Sequence, residues 1–451
     1  MTKAGRTLSF YSLPEYRKWL ENTPGSNTWS VKYYKGLGTS TTIEAREYFG
    51  NIKRNRIPFR YSGHPCDDKI ELAFAKKRVD DRKVWLTEYM TELARRRVEN
   101  EGEVNLYDEE EIRYVTFQDF IDKELVLFSY EDLERSIPNC IDGFKPGQRK
   151  VIWVCFKRND KKDIKVAQLS GSVAERSAYH HGEVSLQETI IKLAQTFVGS
   201  NNLNLLKPIG MFGSRLQGGK DHAASRYIHT KLSQLARMVY PEVDDLLYKH
   251  KTDDNMTVEP ENFVPILPMV LVNGSSGIGT GWSTLIPNHD IREVVKNVKL
   301  MINDEEPKML TPKYKGYRGK IVELERARCV AFGEISLLDD DAVEITELPP
   351  QVWTEVYREK LDKMRGGTDD KGKKLPTLIE TFDDLSSDSR VKFIVKMTPA
   401  QLKNAQTQGY HEYFGLIKTM TYTNTMVLFD EFGKLQVYKS TCEIAKARYL
   451  N

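Results

Sequence analysis

Apolar residues recur every three or four positions through much of the first half of the chain, a spacing that places them on one face of a helix. Residues 70–100 follow this spacing and predict a helical segment. A second helix is predicted from about Thr42, because Thr41 and Glu44 supply polar groups that favour a helix start. Between the N-terminus and that helix, residues 30–34 predict a short strand.

The helical spacing continues from residue 116 to about residue 243, where we expect mostly helix with short loops. Within it, residues 173–194 are periodic enough for two helices joined near residues 179–182. Two short helices joined by a tight turn are typical of a helix-turn-helix unit.

Beyond residue 255 the pattern changes to short apolar runs separated by Gly, Asp and Pro, which favour turns between strands. The predicted strands include residues 319–324, 342–345 and 391–397. Thr398 and Pro399 then predict a helix start, and the chain ends in what looks like the beginning of another helix. The whole pattern predicts a mixed α+β fold with several domains.

Composition narrows the class of protein only slightly. A length of 451 residues suggests about three domains, and 40% hydrophobic with 29% charged residues is ordinary for a globular protein. The 67 basic and 64 acidic residues nearly cancel, so any nucleic-acid surface must come from local segregation of charge. The longest apolar stretch, residues 263–272, is far shorter than the roughly 20 residues of a membrane helix. Five cysteines without a CxxC pair predict free thiols in a reducing compartment.

The clearest candidate for chemistry is the pair Arg226–Tyr227, which follows a glycine-rich basic loop in GMFGSRLQGGKDHAASRYIHT. A phenol has an ordinary pKa of about 10, so a nucleophilic tyrosine needs a base or cationic neighbours. A guanidinium can hold two phosphate oxygens and stabilise the charge that develops there. The dipeptide alone is weak evidence, because the chain has 22 tyrosines.

Four more motifs give the pair its context: KYYKGLGTS, RSIPNCIDGFKPGQRKV, GSVAERSAYHHGEVSL and PMVLVNGSSGIGTGWS. Taken singly, the basic loops fit solvated surface, the two histidines fit a structural pair, and GxGxG spacing is a weak phosphate signal. Taken together, the motifs resemble the breakage-reunion core of eukaryotic type IIA DNA topoisomerase, topoisomerase II. The resemblance covers essentially the whole chain.

The resemblance implies a division of the chain. Residues 1–60 would be the C-terminal part of an α/β TOPRIM domain, and residues 61–115 a helical linker. Residues 116–245 would form a winged-helix domain that carries the tyrosine, and residues 246–435 an α+β tower domain. Residues 436–451 would begin a truncated coiled-coil arm.

The resemblance also implies roles for individual residues. Tyr227 would be the nucleophile that joins the 5′-phosphate of cut DNA, and Arg226 would stabilise the transition state. His181 would assist proton movement, and Arg149 would lie close to the scissile phosphate. Ile278 would wedge between base pairs and bend the duplex. The residues expected to contact DNA are Lys35, Arg82, Lys83, Arg135, Lys145, Tyr179 and Ser185.

The implied activity is that of an ATP-dependent type II DNA topoisomerase, an isomerase that changes DNA topology and separates sister chromatids. It would cleave and religate double-stranded DNA through a 5′-phosphotyrosyl intermediate. The implied location is the nucleus. Besides double-stranded DNA, the implied partner is a second copy of the chain or a full-length topoisomerase II.

Mg²⁺ and ATP are the cofactors that the resemblance implies, but no site for either is expected in this chain. Members of the family hold the metal with a glutamate of an EGDSA-like motif and a DxD pair, and neither occurs here in that context. The ATPase domain is also missing from the sequence. An alternative therefore stays open: a truncated, non-catalytic relative that binds and bends DNA or modulates a full-length topoisomerase II.

Overall fold

The computed structural model describes residues 1–451 except 4, 33, 35–37, 39, 100, 102–113, 161, 254–255, 326–327, 369–373, 423–424 and 451. In this described part, no helix combines the length and apolar character needed to span a bilayer.

Short strands and helices form the first part of the chain. They are β1 Thr2–Lys3, β2 Arg6–Thr7, α1 Leu13–Asn22, α2 Thr42–Gly50, α3 Ile52–Asn55, β3 Phe59–Arg60, α4 His64–Phe74, α5 Val79–Glu99 and β4 Val115–Thr116. The predicted start of α2 is confirmed, since Thr41 and Glu44 form a capping box. The helix predicted over 70–100 is interrupted at Ala75, where α4 ends before a 3₁₀ turn. The strand predicted at 30–34 is wrong: of its described residues, only Ser30 makes a bridge.

The middle of the chain is helical, with one small sheet. Its elements are α6 Phe117–Phe120, a π-helical turn at Ile121–Leu125, α7 Val126–Ser136, α8 Pro146–Arg158, β5 Ile164–Lys165, α9 Val166–Arg176, α10 Glu183–Ala194, β6 Leu206–Ile209, β7 His229–Leu232 and α11 Gln234–Val239. The helix-turn-helix prediction is confirmed by α9 and α10. The antiparallel sheet, in the order β5-β7-β6, was not predicted, because its strands have only two to four residues.

Two hairpins and two helices follow: β8 His250–Asp253, β9 Met256–Pro260, α12 Met269–Asn273, β10 Ser275–Ile278, β11 Ser283–Ile286 and α13 Ile291–Ile302. The hairpin of β10 and β11 pairs Ser275 with Ile286 and Ile278 with Ser283, which places Ile278 beside the tip.

The remaining elements form an α+β region. They are β12 Lys320–Glu325, β13 Arg328–Phe332, β14 Glu334–Asp339, β15 Ala342–Glu347, α14 Thr354–Met364, β16 Gly367–Thr368, β17 Lys374–Leu375, β18 Thr381–Asp384, β19 Phe393–Lys396, α15 Pro399–Gln408, α16 Tyr410–Tyr413, β20 Ile417–Thr421, β21 Val427–Phe429, β22 Leu435–Val437 and α17 Thr441–Leu450. Two sheets run β12-β13-β20 and β14-β15-β19-β18. The three predicted strands are confirmed as β12, β15 and β19, and Thr398 caps α15 as predicted.

Three hydrophobic clusters formed by the described residues hold these elements together. The largest joins α8, α9 and α10 to α12. A second lies between α14 and the sheet that contains β15 and β19. The third packs Leu86 of α5 and Leu133 of α7 against Phe429 of β21, so the end of the chain returns to the N-terminal helices. Each fully buried side chain of this size stabilises the fold by about 1.5–3 kcal/mol. The mixed α+β class predicted from the sequence is confirmed.

Candidate nucleic-acid interface and active site

Arg226 and Tyr227 lie on an exposed turn that leads directly into β7. The Tyr227 side chain is 67% exposed, whereas its neighbour Ile228 is 1% exposed and anchors the turn in the core. The N–H of Tyr227 donates to the carbonyl of Ala224 at 2.9 Å and closes the turn. The guanidinium carbon of Arg226 lies 4.9 Å from the centre of the Tyr227 ring. The phenol and the guanidinium therefore share one solvent-facing surface.

Hydrogen bonds to α9 and α10 fix the backbone on both sides of this turn. The first N–H groups of a helix have no partner inside it. In α9 they belong to Val166 and Ala167, which donate to the carbonyls of Ile228 at 3.0 Å and Ser225 at 3.2 Å. The Ser225 hydroxyl donates to the side-chain oxygen of Gln187 on α10 at 2.7 Å. The helix-turn-helix thus positions the phenol through neutral hydrogen bonds.

The glycine-rich loop before the turn, residues 210–224, packs against the end of β15 and the segment that joins β15 to α14. Gly218 packs against the Trp353 ring so closely that a Cβ atom would overlap it. Arg215 forms an ion pair with Glu347 at 2.5 Å, and the two side chains are only 4% and 0% exposed. This buried pair connects the loop to β15.

The turn between α9 and α10 presents three of the predicted site residues at one corner of the molecule. The rings of Tyr179 and His181 meet edge to face, with centroids 5.4 Å apart. Ser185 is exposed in the first turn of α10. Lys150 of α8 holds the corner in place, because its ammonium donates to the carbonyl of Ser177 at 2.5 Å. Tyr179, His181 and Ser185 therefore lie on the same pair of helices that fixes the tyrosine turn.

Arg149, in contrast, lies in the interior. Its side chain is 4% exposed, and its guanidinium donates to Asp142 at 2.6 and 3.0 Å and to the carbonyl of Phe144 at 3.2 Å. Asp142 also accepts from the backbone N–H groups of Phe144 and Phe263. In this chain Arg149 therefore stabilises the turn at the start of α8, and its predicted place beside the scissile phosphate stays a prediction.

Lys145 binds the β10–β11 hairpin directly, and Arg135 is linked to it through Asp132 of α7. The Arg135 side chain is 55% exposed and donates to Asp132 at 2.7 Å. The other oxygen of Asp132 accepts from the hydroxyl of Thr280, in the hairpin turn, at 2.9 Å. The Lys145 ammonium donates to the carbonyl of Ser276 at 2.7 Å. Burial, and after it the charge of Lys192, lowers the pKa of Lys145 below its ordinary value.

Ile278 projects from this hairpin and is 86% exposed. The glycines on either side explain how the hairpin fits. A Cβ atom on Gly277 would overlap the carbonyl oxygen of Ser136, and one on Gly279 would lie 2.8 Å from the Leu133 side chain. The backbone thus passes directly over α7, and Ile278 faces outward.

The remaining predicted DNA contacts differ from one another. Arg82 is 8% exposed and donates to the carbonyls of Leu72 and Ala75 at 2.8 Å, which caps the end of α4. Lys83 is partly exposed, pairs with Asp80 at 2.9 Å and lies 5.6 Å from the Trp282 ring of the hairpin turn. Lys35 lies outside the described residues.

Two family models cover nearly the whole chain. The model of the A-type subunit of DNA gyrase/topoisomerase IV matches residues 135–450, and the model of the C-terminal associated domain of TOPRIM matches residues 1–133. The chain belongs to the type II DNA topoisomerase family.

Individual members of this family are similar along the full chain. DNA topoisomerase 2-alpha of Rattus norvegicus is 52% identical over 447 residues, which are 99% of this chain and 29% of that protein. DNA topoisomerase 2-beta of Homo sapiens is 52% identical over 446 residues, 99% of this chain and 27% of that protein. The crystal structure of the Plasmodium falciparum topoisomerase II DNA-binding, cleavage and re-ligation domain matches with a TM-score of 0.83 and 44% identity, over 99% of this chain and 58% of that one. The chain spans less than a third of the length of the two curated relatives.

The metal that the topoisomerase family implies does not fit the described residues. Among them, no group of three or more His, Cys, Asp or Glu residues could hold an ion. Mg²⁺ requires oxygen ligands in near-octahedral geometry, usually including one or two carboxylates. The adjacent acids Asp80 and Asp81 are not such a site, because the carboxylate of Asp80 is already paired with Lys83. The described residues therefore do not provide the ligands that Mg²⁺ requires.

Sequence reasoning missed the residues that hold the topoisomerase motifs in place. Asp142 is fully buried beneath the start of α8, Gln187 fixes Ser225, and Asp132 joins Arg135 to Thr280. Only Asp132 leaves a signal in the sequence, because its three-residue spacing from Arg135 is that of a helical ion pair.

Proposed function

We propose that this chain cleaves and religates double-stranded DNA as the breakage-reunion part of a type II DNA topoisomerase. The observation that carries the proposal is the exposed Arg226–Tyr227 pair, fixed on a turn between the helix-turn-helix and β7. An exposed phenol on a fixed backbone can approach a phosphate of a large, rigid substrate, and the adjacent guanidinium can bind the same phosphate.

In the proposed reaction, the Tyr227 oxygen attacks phosphorus and forms a phosphotyrosyl ester with the 5′ side of the break. The bond from phosphorus to the 3′-oxygen breaks, and that oxygen takes up a proton as the phenol loses one. We assign proton movement to His181, because an imidazole can give and accept protons near neutral pH. Arg226 stabilises the charge on the phosphate oxygens. Religation reverses the step, so one phosphodiester is exchanged for another and resealing consumes no ATP.

Five further predicted residues bind and shape the duplex in this proposal. Arg135 and Lys145 contact phosphates, which adds affinity without sequence preference. Ile278 inserts between base pairs and bends the duplex towards the protein, at an unstacking cost of a few kcal/mol. Tyr179 and Ser185 contact DNA at the corner of the helix-turn-helix. Arg149 acts as a positioning residue that holds the turn carrying Lys145.

The proposal extends to the activity of the complete family members. It includes ATP-dependent change of DNA topology, separation of sister chromatids, action as a dimer and a nuclear location. Mg²⁺ and ATP are its cofactors, with no described residue of this chain assigned to either. The proposed domains keep the boundaries predicted from the sequence.

Trapping of covalent adducts tests the proposal. Purified chain is incubated with supercoiled plasmid and Mg²⁺, the reaction is stopped with SDS, and DNA-linked protein is counted. Adducts are expected for the wild type and for Tyr449→Phe, an exposed tyrosine on α17, but not for Tyr227→Phe. DNA binding without adducts would contradict cleavage by this chain and favour a non-catalytic relative that binds and bends DNA.

A further inference from the structure

One face of the small sheet beside Tyr227 carries four basic residues for which the motifs imply no role. The antiparallel register places Lys165 opposite His229 and Lys207 opposite Lys231. Residues directly opposite on neighbouring strands project from the same face. The three strands contain no aspartate or glutamate.

The burial of alternate residues in β7 shows that the basic residues lie on the side of the sheet that faces solvent. Ile228 and Thr230 are 1% and 0% exposed, so they point into the core. Side chains alternate along a strand, so His229 and Lys231 point to the opposite side, towards solvent. Tyr227 lies in the turn two residues before His229 and is itself exposed. The basic face, defined as Lys165, Lys207, His229 and Lys231, therefore continues the surface that carries the phenol.

The charges on this face are not compensated within the described part of the protein. No described aspartate or glutamate forms an ion pair with Lys165, Lys207 or Lys231. Like charges directly opposite on neighbouring strands destabilise a sheet. An anion bound between Lys207 and Lys231 would remove that repulsion, whereas the folded chain alone retains it.

We propose that the basic face binds the sugar-phosphate backbone of DNA next to the phosphate attacked by Tyr227. This inference rests on the proposed function. Lys231 follows Tyr227 by four residues, which span at most about 13 Å even when fully extended. Successive nucleotides of one strand rise by about 3.4 Å. The contacted phosphates therefore lie within about four nucleotides of the one attacked, and the face guides the backbone towards the phenol.

The salt dependence of DNA binding tests this directly. Each lost phosphate contact reduces the slope of log K against log[salt] by about 0.9. The double variant Lys207→Gln/Lys231→Gln should reduce the slope by up to about 1.8, measured by fluorescence anisotropy on a duplex of about 30 base pairs. The matched control is Lys296→Gln/Lys313→Gln, which removes the same charge from two exposed lysines on and after α13. Equal slopes for the wild type and the Lys207/Lys231 variant would overturn the inference.

Neutral methylphosphonates then locate the contact. Placed within about four nucleotides of the attacked phosphate, they should weaken binding of the wild type and have little effect on the Lys207/Lys231 variant. Equal weakening of both proteins would place the contact elsewhere and overturn the inference. If the wild type does not bind duplex DNA, the proposed function fails, whereas binding with an unchanged slope defeats this inference alone. Equal thermal unfolding of both proteins confirms that the variant is folded.

Discussion

The Tyr227 turn and the Ile278 hairpin each present one exposed side chain on a fixed backbone, but different interactions fix them. Backbone and amide hydrogen bonds to α9 and α10 hold the turn. The ammonium of Lys145 and the carboxylate of Asp132 hold the hairpin, and its glycines lie against α7. Charged contacts at a surface weaken with salt, and neutral hydrogen bonds much less. We therefore expect salt and pH to change the proposed DNA bending more than they change the position of Tyr227, the proposed nucleophile.

The largest effect on stability is expected at the buried ion pair Arg215–Glu347. This pair holds the glycine-rich loop that precedes the Tyr227 turn, so here the Tyr227 region does depend on charge. Glu347→Gln leaves the Arg215 charge buried without a counter-charge, which should lower the free energy of unfolding by about 3–5 kcal/mol. Urea denaturation measures this. Glu293→Gln, which breaks an exposed pair, should cost less than about 0.5 kcal/mol. A similar small loss for both variants would show that the loop does not depend on the pair.

Acid should destabilise the folded chain through His289, a buried residue that follows β11 of the hairpin in sequence. Burial lowers the pKa of His289 to about 4, and its ring binds the carbonyl of Leu271. Between about pH 6.5 and 4 the unfolded chain binds this proton and the folded chain does not, so stability falls as pH falls. The free energy of unfolding should fall by up to about 3 kcal/mol over this pH range. His289→Gln should remove that part of the pH dependence, measured by denaturation at pH 7 and 4.5.

The control for this prediction is His64→Gln, which makes the same substitution at an exposed histidine at the start of α4. If the two variants had the same pH dependence, another group would be responsible for the loss.

The contact between the β10–β11 hairpin and α7 gives the next largest effect on stability. In Gly277→Ala the new methyl group overlaps the carbonyl oxygen of Ser136, so the hairpin must move away from α7 at a cost of about 1–3 kcal/mol. Bending of a dye-labelled duplex, followed by energy transfer, should decrease. Gly171→Ala on α9 meets no atom and should be neutral or slightly stabilising. Unchanged bending in Gly277→Ala would show that the hairpin position does not set the bend.

The smallest effects separate the two regions most directly. Thr280→Val removes the hydrogen bond to Asp132, and Gln187→Leu removes the one to Ser225. Each hydrogen bond contributes about 1 kcal/mol, which corresponds to about a fivefold change in an equilibrium constant or a rate. Thr280→Val should reduce bending and leave the rate of adduct formation unchanged. Gln187→Leu should slow adduct formation and leave bending unchanged. If both variants impaired both measurements equally, the two supports would not be independent.

The sequence alone was informative wherever a single segment determines its own structure. The helices α9 and α10, the strands β12, β15 and β19, and the capping residues Thr41 and Thr398 all follow from local periodicity and cap chemistry. The β5-β7-β6 sheet could not be found in this way. Its strands are too short for a recognisable alternation, and their pairing joins residues 20 or more positions apart.

The motifs indicated which residues matter but not which way they face. Arg135 and Arg149 belong to one basic motif, yet Arg135 is exposed and Arg149 is buried on Asp142. Arg82 is likewise buried on two carbonyls, while its neighbour Lys83 reaches the hairpin turn. Periodicity leaves this open, because burial depends on what packs against each helix. For these residues, tertiary contacts decide between binding a substrate and stabilising the fold.

The most direct test of the account is to identify the residue that becomes joined to DNA. SDS-trapped adducts formed with Mg²⁺ are digested with nuclease and protease, and the remaining peptides are sequenced by mass spectrometry. The account predicts a nucleotide attached through its 5′-phosphate to the peptide containing Tyr227. A nucleotide on any other residue, or attached through a 3′-phosphate, would contradict it.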